Sequence, residues 1–204
     1  MSLLPDSSSF GELLASWVQR SVLPSSWFDF HDESAFESVF GIFATDYARY
    51  YGDAPISLEG LLLRPELQGI LMYRLARYYF LRESSLADGA SLLGRQLSGF
   101  EIYYSSDIGP YLKINHGLGT VIGARVKIGA HALIHQGVTF GDRNGQRPVC
   151  GDYGIFYAGS KVLGGITLGN HVTVGANSVC LKSVPDHGIV VGVPGRIILN
   201  PNVT

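Results

Sequence analysis

Aliphatic or aromatic side chains recur at every sixth position through the second half of this chain: Ile102, Ile108 and Ile114, then Ile122, Ile128, Ile134 and Phe140, then Cys150, Phe156, Val162, Leu168, Val174 and Cys180. Glycine directly follows several of them, as at Gly109, Gly123, Gly129, Gly141, Gly169 and Gly175. A β-sandwich would show alternation with period two and variable loops instead. The six-residue beat predicts a parallel β-helix, in which three hexads complete one triangular coil and each inward residue stacks on its counterpart one coil later. A single coil cannot bury its own apolar face, so the coils must stack to fold.

Composition divides the 204 residues near position 100. Residues 1–100 hold 17 Leu but only 6 Val plus Ile and 8 Gly, whereas residues 101–204 hold 7 Leu, 24 Val plus Ile and 18 Gly. Leucine without β-branching favours helix, while β-branched residues with glycine favour short strands and tight corners. The expected class is α+β: a helical domain over 1–99, then the β-helix over 100–200, with a tail from 184 to 204. Four helices are read in the first part. One opens with a capping box, Ser9 with Glu12, and carries Leu13, Leu14, Trp17 and Val18. A second spans 34–51 and stops at Gly52; a third begins at Pro65, its apolar stripe beside a basic one that includes Arg74; a shorter one covers 86–97. The aromatic runs Tyr47–Tyr51 and Tyr78–Phe80 are read as core or subunit contacts.

The beat breaks twice. Two residues are added within Asn115-His116-Gly117-Leu118-Gly119, and four within the 141–148 segment, between Phe140 and Cys150. A regular prism has no pocket, so extra residues must bulge out there, and function is expected to gather at the bulges.

Fifteen basic and 17 acidic residues leave a net charge of −2, which offers no electrostatic footprint for nucleic acid. No apolar run approaches a spanning helix, no leader pattern opens the chain, and a cytoplasmic protein is expected. Cys150 and Cys180 lack metal or redox spacing and fall on different prism faces, so both are read as buried thiols without a disulfide.

Several segments resemble the serine O-acetyltransferase family of hexapeptide acyltransferases: Phe100-Glu101-Ile102, Asn115-His116-Gly117, Val121-Ile122-Gly123, Ala158-Gly159-Ser160-Lys161 and Val191-Gly192-Val193-Pro194-Gly195-Arg196. The resemblance covers most of residues 53–200. It implies a left-handed β-helix, a homo-trimer or dimer of trimers, and acetyl-CoA as co-substrate with no metal. It assigns catalysis to His116 and to Glu101, fifteen residues earlier. A hydroxyl attacking a thioester needs a base near neutral pKa, which imidazole supplies, and a carboxylate orients that ring.

The resemblance further places acetyl-CoA along small residues of stacked coils. Ala158, Gly159 and Ala176 match, the two alanines lying one coil apart, with Lys161, Val193, Pro194 and Arg196 nearby to meet the cofactor's remaining parts. For the acceptor it implies Asp53, the residue before the catalytic histidine, and the later loop. Here the pattern departs: Asn115 stands where the family typically has aspartate, and Gln146-Arg147-Pro148 where it has Arg-His-Pro. The acceptor is therefore expected to be L-serine or a serine-like amino acid, with a sugar hydroxyl of a surface polysaccharide or its precursor as the alternative. Two other readings stand further off. A zinc site on His116, His131 and His135, as in γ-class carbonic anhydrases, is disfavoured because His131 and His135 occupy different hexad positions. A scaffold that lost its chemistry is disfavoured by the paired Glu101 and His116. No cysteine synthase complex is expected from the terminal sequence, and feedback by cysteine is left open.

Overall fold

A computed structural model describes residues 7–199, and the chain divides into two units after Phe100. The first unit is helical, with α1 (Ser7–Gln19), α2 (Glu33–Tyr51), α3 (Leu58–Leu62), α4 (Pro65–Phe80) and α5 (Leu86–Ser98), plus a single 3-10 turn at Ser25–Trp27. Local chemistry sets these ends. Asp32 caps α2 by accepting from the Ala35 amide at 2.9 Å, Gly52 closes it at φ 63°, and Pro65 sits in the first turn of α4. The core includes Phe10, Phe36, Phe40 and Phe43, with Phe10 edge-on to Phe36 at 4.8 Å and to Phe40 at 5.1 Å.

Two expectations for this unit are corrected. Ser9 lies inside α1 as its third residue, so it does not cap the helix from outside. Arg74 belongs to no solvent-facing basic stripe. It is buried and grips the buried Asp46 of α2 through two hydrogen bonds, 2.9 and 3.1 Å. A spacing pattern sees a cation, whereas only the packing of α4 on α2 reveals the carboxylate 28 residues away that neutralises it.

The second unit is a parallel β-solenoid of about four turns. One sheet stacks β1 (Glu101–Ile102), β4 (Val121–Ile122), β7 (Thr139–Gly141), β10 (Lys161–Leu163) and β13 (Val179–Cys180). The second stacks β2 (Asp107–Ile108), β5 (Lys127–Ile128), β8 (Val149–Cys150) and β11 (Thr167–Leu168). The third stacks β3 (Lys113–Asn115), β6 (Leu133–His135), β9 (Ile155–Phe156), β12 (Thr173–Val174) and β14 (Gly188–Val191), and ends on the antiparallel β15 (Arg196–Leu199). The stretch from 184, expected as a tail, thus carries two strands up to Leu199, and residues 200–204 lie outside the described ones.

All thirteen residues of the six-residue beat are at most 5% exposed, so the predicted inward stack is the core of this unit. Cys150 and Cys180 are free thiols in different sheets. Burial pushes both thiols up from their ordinary range. The corner before the third sheet carries a feature absent from the sequence reading. Tyr111, His131, Tyr153, His171 and His187 each have φ between 55° and 61° and stack ring on ring at 4.4 to 4.8 Å, within 7° of parallel. The residues just before them form a second ladder, in which Asp152, Asn170 and Asp186 accept from the amides of Ala130, Asp152 and Asn170 one coil earlier.

Candidate active site

Strand register identifies the two extra residues of the first interruption. Asn115 pairs with His135, and the Gly137 amide donates to the Leu118 carbonyl as the Gly159 amide does to Gln136 and the Asn177 amide to Ala158. Leu118, Gln136, Ala158 and Ala176 therefore occupy one column of the corner. Asn115 and Leu118 are separated by two residues where His135 and Gln136 are adjacent. The insertion is His116-Gly117 itself, and it lifts the imidazole out of the corner: His116 is exposed, in the left-handed region at φ 55°. Unlike the left-handed residues of the ring-stacked corner, which recur coil after coil, His116 has no counterpart at the same place on a neighbouring described coil.

Glu101 flanks the same corner. It is half-buried on β1, pairs with Val121, and donates its amide to the Thr120 carbonyl at 2.9 Å, where the inserted turn rejoins the regular coil. The buried Thr120 hydroxyl pins the foot of the turn, donating to the His135 carbonyl at 2.9 Å and accepting from the Val138 amide at 3.3 Å. His135, which the sequence pattern did not single out for the acceptor, adjoins the insertion. It is half-buried beside Asn115, its ring stacks on Tyr157 at 5.2 Å, and burial followed by the nearby His116 lowers its pKa.

Beyond Leu118 and Gln136 the side chains of this column become small. Ala158 and Ala176 stand on successive coils, and Gly159 has φ 71° with Asn177 Oδ1 where a Cβ would have to go. Lys161 is not a loose cation: its ammonium donates to the Gly137 carbonyl at 2.5 Å. Val193 and Pro194 are exposed in the turn between β14 and β15, and Arg196 is exposed at the start of β15.

The second interruption is a small hairpin. Arg143 and Gln146 exchange backbone hydrogen bonds at 3.1 and 3.2 Å across Asn144 and Gly145, both at positive φ, the conformation a two-residue hairpin turn requires. Arg147 is half-buried and already engaged, with Asp142 as ion-pair partner and the Ala124 carbonyl at 3.1 Å. Gln146 lines a cleft of about 260 Å³ with Arg143, Leu163, Gly164, Ile166 and Leu181. Asp53 is in the helical unit, exposed just past the end of α2. Among the described residues no three His, Cys, Asp or Glu side chains gather to hold a metal, and His131 lies in the ring stack of another corner.

Over 147 residues the chain is 38% identical to the serine acetyltransferase of Bacillus pumilus, covering 70% of this chain and 68% of that one. The chain belongs to the serine acetyltransferase family. The Staphylococcus aureus (strain Mu50) member is likewise 38% identical over 152 residues, 72% of this chain and 71% of its own. That of Synechococcus elongatus is 40% identical over 151 residues, 72% of this chain and 62% of its own. No family model matches the chain. Among solved structures, the Neisseria gonorrhoeae serine acetyltransferase superimposes with a TM-score of 0.80 at 25% identity, covering all of this chain and 82% of that one. A serine acetyltransferase solved in complex with CoA gives 0.76 at 25% identity, covering 95% and 84%. Family membership fixes the hand of the β-helix as left-handed.

Proposed function

We propose that the chain transfers the acetyl group of acetyl-CoA to the hydroxyl of L-serine, with His116 as general base and Glu101 as the carboxylate that orients it. The observation that carries this reading is the extrusion of His116 by a two-residue insertion at the corner that Glu101 flanks, in a member of the serine acetyltransferase family. Neutral His116 removes the hydroxyl proton as the serine oxygen attacks the thioester carbonyl, then returns it to the departing sulfur. No covalent acetyl-enzyme is needed. Glu101 holds the ring's tautomer and stabilises the imidazolium.

The column Ala158, Gly159 and Ala176 is assigned to the pantetheine arm, since small side chains let an extended chain approach the backbone. Arg196, with Val193 and Pro194, is assigned to the distal end of the cofactor; Lys161, held by Gly137, is assigned to shaping the wall. Asn115 is assigned to the serine ammonium, and Asp53, in the helical unit, is kept as the substrate-binding residue that the family resemblance implies. Gln146 and Arg147 are assigned to its carboxylate, for which Arg147 must share the guanidinium that Asp142 holds. Nothing among the relatives favours a sugar acceptor. We further propose a homo-trimer, or a dimer of trimers, in the cytoplasm. The exposed Leu118 and Val193 beside the column are apolar surface that a second subunit would cover. Among the described residues no helix is long and apolar enough to cross a membrane.

The test is release of CoA thiol from acetyl-CoA against a panel of L-serine, D-serine, homoserine, threonine, hexoses and no acceptor. Saturable turnover with L-serine is expected. Silence with every amino acid beside activity on a sugar would overturn the reading.

A further inference from the structure

The ammonium of an amino acid carries three N–H donors, each of which must find an acceptor once water is excluded. Asn115, next to His116, offers a single amide oxygen. The outward-facing residue at the same register on the adjoining strand is His135, and neighbouring strands lie about 4.8 Å apart. The ring is held in place: it stacks on Tyr157, and its main-chain carbonyl accepts from Thr120. The outward residues around it are Lys113 and Asn115 on β3, Leu133 on its own strand, and Ile155 and Tyr157 following the register of β9, with His116 at the corner. Lys113 and His116 are the basic side chains in that ring. Resting on the serine-acetylating reading above, we propose that His135 is a specificity-determining residue of the acceptor site, its neutral imidazole accepting a hydrogen bond from the serine ammonium beside Asn115.

Half-burial and His116 both lower its pKa, which keeps that nitrogen free to accept.

Steady-state KM values for L-serine and for acetyl-CoA, measured from about pH 5.5 to 8.5 on the wild type, His135→Leu and His135→Gln, test this. Wild-type KM for serine should rise as pH falls and His135 takes a proton. His135→Leu should raise it roughly tenfold at neutral pH, the loss of one hydrogen bond to a charged group, and flatten the pH dependence. His135→Gln should recover most of the affinity while staying flat, with kcat and KM for acetyl-CoA within about threefold throughout. If His135→Leu fails to fold, the flat profile of His135→Gln carries the same test. An unchanged serine KM, an equal rise for acetyl-CoA, or a variant pH profile as steep as wild type would overturn the inference alone. A wild-type enzyme silent with L-serine would overturn the proposed function and this inference with it.

Discussion

At one corner of the β-helix, Tyr111, His131, Tyr153, His171 and His187 hold the same left-handed position on successive coils, and their rings stack 4.4 to 4.8 Å apart. At the next corner His116 shares the left-handed backbone but has no counterpart on any other coil, because the two residues that include it are additional to the repeat. Histidines kept in register become stacking material for the rings on neighbouring coils. The histidine put out of register stays exposed, at a corner that a half-buried glutamate flanks and whose later coils carry Ala158 and Ala176. In a repeat fold each coil's geometry is dictated by its neighbours, so departures from the period are where side chains are freed for chemistry.

The contrast is broken most sharply by removing its odd member. His116→Ala should lower kcat by roughly 10²–10⁴ while the melting temperature stays at the wild-type value, since no packed group is lost. Steady-state kinetics with a melt in parallel checks both halves. The opposite result is expected from the stacked corner: Tyr153→Ala removes two ring contacts, with His131 and His171, and should cost about 1–3 kcal/mol in denaturant unfolding with kcat nearly unchanged.

Beneath both corners lies the same inward stack, which includes two thiols whose folded pKa values are raised. Their contribution is fully present below the unfolded thiol pKa of about 8.5 and declines above it, by up to about 1.4 kcal/mol per pH unit for each thiol. Unfolding curves at pH 8 and 10 should show this loss, and Cys150→Val should remove its share. His135 works the other way. Its lowered pKa adds stability above about pH 6.5 that fades as pH falls below it, and His135→Gln should shrink that acid-side loss. The smallest effect is expected at the hairpin: Asp142→Asn, which loosens the partly exposed pair with Arg147, should change unfolding free energy by less than about 1 kcal/mol.

The β-helix was legible because its inward positions obey one strict rule, and both interruptions were legible as breaks in it. The identity of His116-Gly117 as the added pair was not, since only strand register distinguishes it from Leu118-Gly119. The ring stack escaped notice for a related reason. Its members are spaced 20, 22, 18 and 16 residues apart, because the two insertions and a shortened last coil displace an otherwise constant interval. His135 looked like a zinc candidate at best, and its value comes from a neighbour twenty residues away. Arg74 and Asp46 were invisible as a pair until α2 packed on α4. Short-range pattern reports which way a side chain faces; what it meets there is long-range information.

The most direct test deletes His116 and Gly117 together, which returns the interrupted coil to the length of its neighbours. Thermal melting and serine-dependent release of CoA thiol are then measured on that variant and the wild type. The expected result is a β-helix that melts within a few degrees of wild type and has lost serine-dependent release. A deletion variant that still turns over L-serine, or one that cannot fold, would contradict the claim that this insertion is added for catalysis to an otherwise self-sufficient coil.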